Sequence, residues 1–354
     1  MRVALLITLL VSSLPCHAWD YPGHRVINLL AVSSLPSDFP DFARTPEARE
    51  RIGFLAGEPD RWRNTSDLTL RHENGPDHFF DVEWLHYADI SPDQLTEFRY
   101  IFDQQLARAW AEHPERFPHF DPAKNRDETR QQSGFLPWTI VESYARLRSA
   151  FSYLKAYEEF GGTPGEVHNA QENVIYFMGV MGHYVGDGSQ PLHLTENFNG
   201  WAESENPRGY TVSKTFHAWI DGGFFQKTGG VSFAALAPAL HPATLLGAQD
   251  SIGTHSNKSA RANSDQRVSE NRNARDPIFS ETLAYLLRQY AKMPTVYELE
   301  KTGDLSPQHP RKGREFLDHQ LIEGAEMLGS LWYTAYHDAP VDEYVKNSLT
   351  KRQE

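Results

Sequence analysis

The sequence predicts an all-α protein, one mostly helical domain. Four stretches place apolar residues at three- and four-residue steps, the period of a helix with one buried face, and a fifth is apolar nearly all round. Alternating strand-like runs are scarce, and the segments between the periodic stretches are polar. At 354 residues, 40% hydrophobic and 12% aromatic, the chain is long and apolar enough to bury a full core.

In chain order, residues 1–18 come first: one Arg, an apolar run from Val3 to Val11, then small residues with Cys16 and Ala18 at small-x-small spacing. That pattern reads as a signal peptide cleaved after Ala18, and the apolar run is too short to span a bilayer. A lipid anchor on Cys16 is disfavoured because Ser13 stands where such signals carry Leu. The main domain is expected over 19–340. Its first apolar stripe, 26–31, follows His24. Residues 78–85, HFFDVEWL, are the best strand candidate and serve equally as an irregular loop. Residues 111–134 are rich in charge, Pro and Gln. The next helix is expected over 138–154, with Pro137 at its start. Residues 173–186 are apolar nearly all round, as a central buried helix would be. The stretch 251–276 has almost no apolar content and reads as a surface insertion. Two more amphipathic runs follow, 282–290 and 315–336. Residues 341–354, ending KNSLTKRQE, are expected to be a frayed tail.

The most informative segment is GHYVGDGSQPLH, 182–193. His183 and Asp187 are four residues apart, so on a helix both side chains leave one face. Pro191 ends the helix and His193 follows. His217 and Asp221 in FHAWID repeat the spacing. A single such pair is most simply an i,i+4 hydrogen bond; two pairs and a satellite His suggest more than one metal ion. Loss of Cys16 with the leader leaves no thiol and no disulfide, so ligands must be His, Asp, Glu or backbone groups. Nitrogen and oxygen donors in this arrangement suit zinc. The net charge, −13 and more negative still once Arg2 is removed, argues against nucleic-acid binding through a broad basic surface. It leaves open an enzyme that grips phosphate through bound metal.

Five ordered segments carry a resemblance: Trp-x4-His at 19–24, GEPDRW, PDHFFD, HYVGDGSQPLH and FHAWID. Together they resemble the superfamily of zinc-dependent phospholipases C and single-strand-specific, mung-bean-type nucleases, over roughly residues 19–225. The resemblance implies a largely helical fold with a trinuclear zinc cleft. One zinc would be held by Asp60, His78, His183 and Asp187. A second would be held by His24, Asp187 and the free amine and carbonyl of Trp19, and a third by His193, His217 and Asp221. Asp60 and Arg63 would be the catalytic pair, with Arg63 stabilising phosphorane charge. Phe79 would stack a base and Asp81 would hydrogen-bond it. His86 is the rival to His78 as a ligand.

The implied reaction is phosphodiester hydrolysis by zinc-bound hydroxide. The five-residue Trp19–His24 spacing and the closing Asp221 favour an endonuclease acting on single-stranded DNA or RNA. HYVGD lies close to the phospholipase pattern, which keeps a phospholipase C acting on headgroup esters as the alternative, although Asn197 falls one residue late for it. The missing disulfides depart from plant and fungal nucleases. A non-catalytic, zinc-stabilised helical binding module is a third reading. Export to periplasm or medium is expected, with no membrane span in the mature chain and no protein partner evident.

Overall fold

The computed structural model describes residues 19–202, 205–247 and 275–353. The expected leader and nearly all of the polar insertion lie outside the described residues; of the insertion only Arg275 and Asp276 fall within them. Among the described residues every regular element is helical.

The site is built around α8 (Pro164–Ser189). A capping box opens it: the Thr163 hydroxyl accepts from the Glu166 N–H, and the Glu166 carboxylate accepts from the Thr163 N–H. Its second half is buried continuously from Met178 to Ser189, as the all-round apolar pattern predicts. Four helices make its largest contacts: α1 (Tyr21–Ser34), α2 (Pro46–Leu55), α7 (Leu136–Glu159) and α14 (Arg311–Asp338). The expected runs 26–31, 138–154 and 315–336 fall inside α1, α7 and α14, and 282–290 falls inside α12 (Pro277–Tyr290).

Close approach of α1 to α8 depends on Gly182. A Cβ there would stand 1.7 Å from Asn28 Oδ1, so any larger residue must push α1 away. Asn28 uses the closeness: its Nδ2 donates to Ile52 O at 2.8 Å and to Gly179 O at 2.9 Å, tying three helices together. Each such buried bond contributes about 1 kcal/mol net.

Pro191 ends α8 as expected. The carbonyls of its last turn then need partners. Tyr285 Oη donates to Val185 O, Ser189 Oγ to Gly186 O, and Gln320 Nε2 to Ser189 O.

One alternative is decided and one expectation is corrected. Residues 78–85 form no strand; 79–82 are irregular. A single 3₁₀ turn, Gly75–His78, leads into extended residues and then α5 (Glu83–Tyr87). Phe80 and Val82 donate their N–H groups to His193 O and Leu194 O, but the partner segment is the turn Pro191–Leu194, too short and curved to continue a ladder. The tail is not frayed either. It forms α15 (Glu343–Gln353), whose Val345 and Leu349 bury against Ala156 of α7. Tertiary packing supplies the stability that so short a polar helix lacks alone.

Candidate metal centre and cleft

Three buried groups of His and Asp side chains lie within ligand distance of one another: His24 with Asp60 and His183; His78 with His183 and Asp187; and His193 with His217 and Asp221. All the side-chain ligands expected from the sequence are in these groups. Each is fixed by an element already described. His24 stands on α1, Asp60 and Arg63 on α3 (Glu58–Arg63), His78 at the end of its 3₁₀ turn, and His183 and Asp187 on the last two turns of α8. The extended residues after His78 bond to the backbone around His193, which brings that ligand beside the others.

Asp187 sits at the centre. Its Oδ2 is 2.9 Å from His78 Nδ1 and 3.4 Å from His183 Nε2, while Oδ1 is 3.4 Å from His24 Nε2. One oxygen therefore faces each of two histidine groups, as a bridging carboxylate would. Asp60 falls in common reach of His24 and His183, and His183 is shared with the group of His78 and Asp187. On α3 itself, Arg63 Nε donates to Asp60 Oδ1 at 2.9 Å.

The third group depends on a widened helical turn. Phe216–Ala218 and Phe224–Lys227 are α-helical, and Trp219–Gly223 between them is a π turn. His217 Nε2 is 3.3 Å from Asp221 Oδ2 and 2.9 Å from His193 Nε2. Gln190 Nε2 donates to Asp221 Oδ1 at 2.8 Å, and Asn199 Oδ1 accepts from the His217 N–H. Neither partner was found from sequence, because polar side chains in apolar surroundings carry no spacing signal. A π turn within a helix often marks a functional site.

Backbone carbonyls orient two of the imidazoles. Nδ1 of His183 donates to Ala56 O, and Nδ1 of His193 donates to His78 O, both at 2.7 Å. This assigns Nε2 as the lone-pair nitrogen that each ring turns inward. In the second and third groups, donor spacings of 2.9–3.4 Å are close to the edge of a tetrahedron of N and O ligands at zinc-like bond lengths, about 3.3 Å, whereas Asp60 Oδ1 stands 3.9 Å from His183 Nε2.

Electrostatics point the same way. Burial pushes Asp187 up to about 8 and Asp221 well above the carboxylate range. It pushes His183 down to about 4 and His217 to about 3, with His78 and His193 also well below the usual imidazole range. The protein alone thus disfavours charged carboxylates here, and its imidazoles are neutral. Asp187 Oδ1, Asp221 Oδ2 and His78 Nε2 are buried without a hydrogen-bond partner among the described residues. Such orphaned groups cost free energy unless something else satisfies them. A divalent cation would compensate the carboxylates and accept the imidazole lone pairs, so the residues fit a metal.

Trp19 is fully buried, and its indole N–H donates to Ser189 Oγ at 2.9 Å. The next residue, Asp20, donates its N–H to Asp221 O at 3.1 Å, so residues 19 and 20 dock beside two ligand-bearing turns. The rival ligand His86 is solvent-exposed on α5 and outside every group.

His193 and His217 open onto a cleft of about 720 Å³, which Arg63, Phe79 and Asp81 also line. Phe79 is half-buried in the cleft wall, whereas Phe80, pointing the other way, is core. Gly134 holds the Phe79 backbone. It has φ +91°, and a Cβ would stand 2.0 Å from Phe79 O. Asp81 keeps a cleft-facing surface although protein surrounds its carboxyl; burial, then Glu83 and Glu196, pushes it well above the carboxylate range. The far wall, from Arg116 to Gln132, comes from the polar segment that sequence periodicity left without structure.

No protein-family model matches the chain, and no curated protein matches it. No described helix is long and apolar enough to cross a membrane.

Proposed function

We propose that this protein is a zinc-dependent phosphodiesterase whose substrate is single-stranded DNA or RNA. The observation that carries this reading is the shared cleft. His193 and His217 of the metal groups, the Arg63 guanidinium, an aromatic wall at Phe79 and a polar reader at Asp81 all meet there. Zinc is favoured over harder ions because five of the eight side-chain donors are imidazoles.

Zinc bound there would acidify water to a pKa of about 7 and place positive charge beside a phosphoryl oxygen. The chain's own residues do the rest. Asp187 and the backbone-oriented His183 and His193 hold the ligand geometry without rearrangement, which is electrostatic preorganisation. Arg63, planted by Asp60, directs a guanidinium at the phosphate and offsets charge that grows during displacement. Phe79 offers one ring face to an unstacked base, and a duplex, whose bases are already stacked and paired, cannot use it.

The test is hydrolysis of a chromogenic phosphodiester by metal-loaded and chelated protein, then of single strands, duplexes and phosphatidylcholine micelles. Chelator-sensitive cleavage with single strands preferred is the expected result. Phe79→Ala should raise KM for single strands by about five- to a hundredfold, the equivalent of about 1–3 kcal/mol of stacking. Headgroup release with negligible cleavage of single strands would replace the nuclease reading with a phospholipase one. No metal-dependent hydrolysis of any diester would overturn both.

A further inference from the structure

The cleft carries the opposite charge to the molecule. The chain's net charge is −13, yet five of the residues lining the cleft are Arg or Lys against three Asp or Glu. Two of those cations have carboxylates of their own, Arg63 with Asp60 at 2.9 Å and Arg71 with Asp127 at 2.6 Å. The other three, Arg116, Lys124 and Arg130, lie on one short segment of the far wall. Among the described residues no carboxylate pairs with Arg116 or Arg130, and Lys124 has a loose, exposed contact with Asp121 at 4.0 Å.

This segment is built to hold those cations in place. Phe117 is buried beside Arg116, stacked on Trp110 at 4.9 Å and edge-on to Trp84 and Tyr87. Asn125 is buried, and its Oδ1 accepts from the N–H groups of Thr129 and Arg130, each at 3.0 Å. Arg130 Nε donates to Lys124 O at 3.1 Å, which restrains the guanidinium of this exposed residue through one nitrogen. A buried aromatic on one side and a stapled turn on the other thus carry three exposed cations on the wall of the cleft that holds the metal groups.

From this arrangement we infer a second phosphate site, formed by Arg116, Lys124 and Arg130, that binds a phosphate flanking the one to be cleaved. The inference rests on the phosphodiesterase reading and narrows its substrate to a chain with repeating phosphates. Guanidinium forks suit phosphate oxygens, and cations without carboxylate partners give up no ion pair when phosphate arrives. A phospholipid with a single headgroup diester leaves such a site unmet. A lipid surface would also call for an apolar rim, but of the exposed large hydrophobic residues Phe198 lines the cleft whereas Phe98, Tyr100 and Ile101 do not.

The experiment compares wild-type metal-loaded protein with Arg116→Gln/Arg130→Gln, after both are matched for circular dichroism and zinc content. Anisotropy of a labelled phosphorothioate dT oligomer is titrated against salt. Kinetics are read on an unmodified oligonucleotide and on a chromogenic diester with one phosphate. The variant should bind the oligomer about tenfold more weakly, and its log K against log salt should flatten by about 1.4, two single-strand phosphate contacts. Its loss of kcat/KM should be about tenfold greater on the oligonucleotide than on the single diester. Unchanged affinity and salt slope would overturn the second site while leaving the phosphodiesterase reading intact. Retained oligomer binding with lost binding to phosphatidylglycerol vesicles would overturn it in favour of a lipid surface. If neither protein cleaves any diester yet the variant still loses oligomer affinity, the phosphodiesterase reading falls and the phosphate site stands.

Discussion

The two sides of the cleft are built on different principles. On one side, α8 and its neighbours hold His and Asp groups inside a continuously buried core, where α1 approaches closely enough to forbid a side chain at position 182. On the other, residues 113–132 carry mostly exposed polar side chains on short 3₁₀ turns, held by a few buried anchors such as Phe117 and Asn125. The first side tolerates little change because each ligand position is also a packing position. The second separates the two roles: anchors keep the shape, and the cations between them are free to be chosen for what they bind. On the proposed reading, chemistry would lie where the protein is rigid, and breadth of recognition where substitution is cheap.

The largest effect should come from the shared ligand. Asp187→Asn removes a carboxylate that faces two histidine groups, whereas Asp221→Asn touches one. Metal analysis should show about two zincs lost in the first and about one in the second, because ligand charge drives binding. Equal losses would break the central role given to Asp187.

Next is the contribution of metal to stability. Ions bound to the folded state at a thousandfold excess over Kd add about 4 kcal/mol per site by linkage, so chelation should lower the calorimetric Tm by about 8 °C or more. An unchanged Tm after verified metal removal would mean that the core side of the cleft is stable without its ions.

A smaller loss is expected from Gly182→Ala. The added methyl meets Asn28 and displaces α1, costing about 1–3 kcal/mol in urea unfolding despite Ala's better helix propensity. A stabilised variant would show that the α1–α8 contact is looser than its geometry.

The smallest stability effect belongs to the far wall. Arg116→Gln and Arg130→Gln should each stay within about 0.5 kcal/mol of wild type, as exposed substitutions without ion pairs do. A large destabilisation would show that these cations are structural and would erase the contrast between the two sides.

The sequence by itself determined the helical fold and its central helix. The nearly continuous apolar run over 173–186, and Pro191 after it, are local signals with a direct physical cause, and α8 covers that run and ends before that proline. The spacing of His183 to Asp187 and of His217 to Asp221 likewise puts each pair on one face before any tertiary contact exists. Only the tertiary structure decided how the pairs combine. Asp60 of α3 comes within reach of His24 on α1 and His183 on α8, and the turn that carries Asp221 is a π turn, Trp219–Gly223, which no periodicity encodes. The segment 113–132 was illegible because its shape comes from Phe117 meeting Trp84 and Trp110, contacts made across the fold. The last helix was misread for the same reason, since Val345 and Leu349 gain their stability from Ala156, far away in the chain. Periodicity reports which face of a segment is buried; what that face meets, and therefore which charges converge in one cleft, is settled by packing between distant segments.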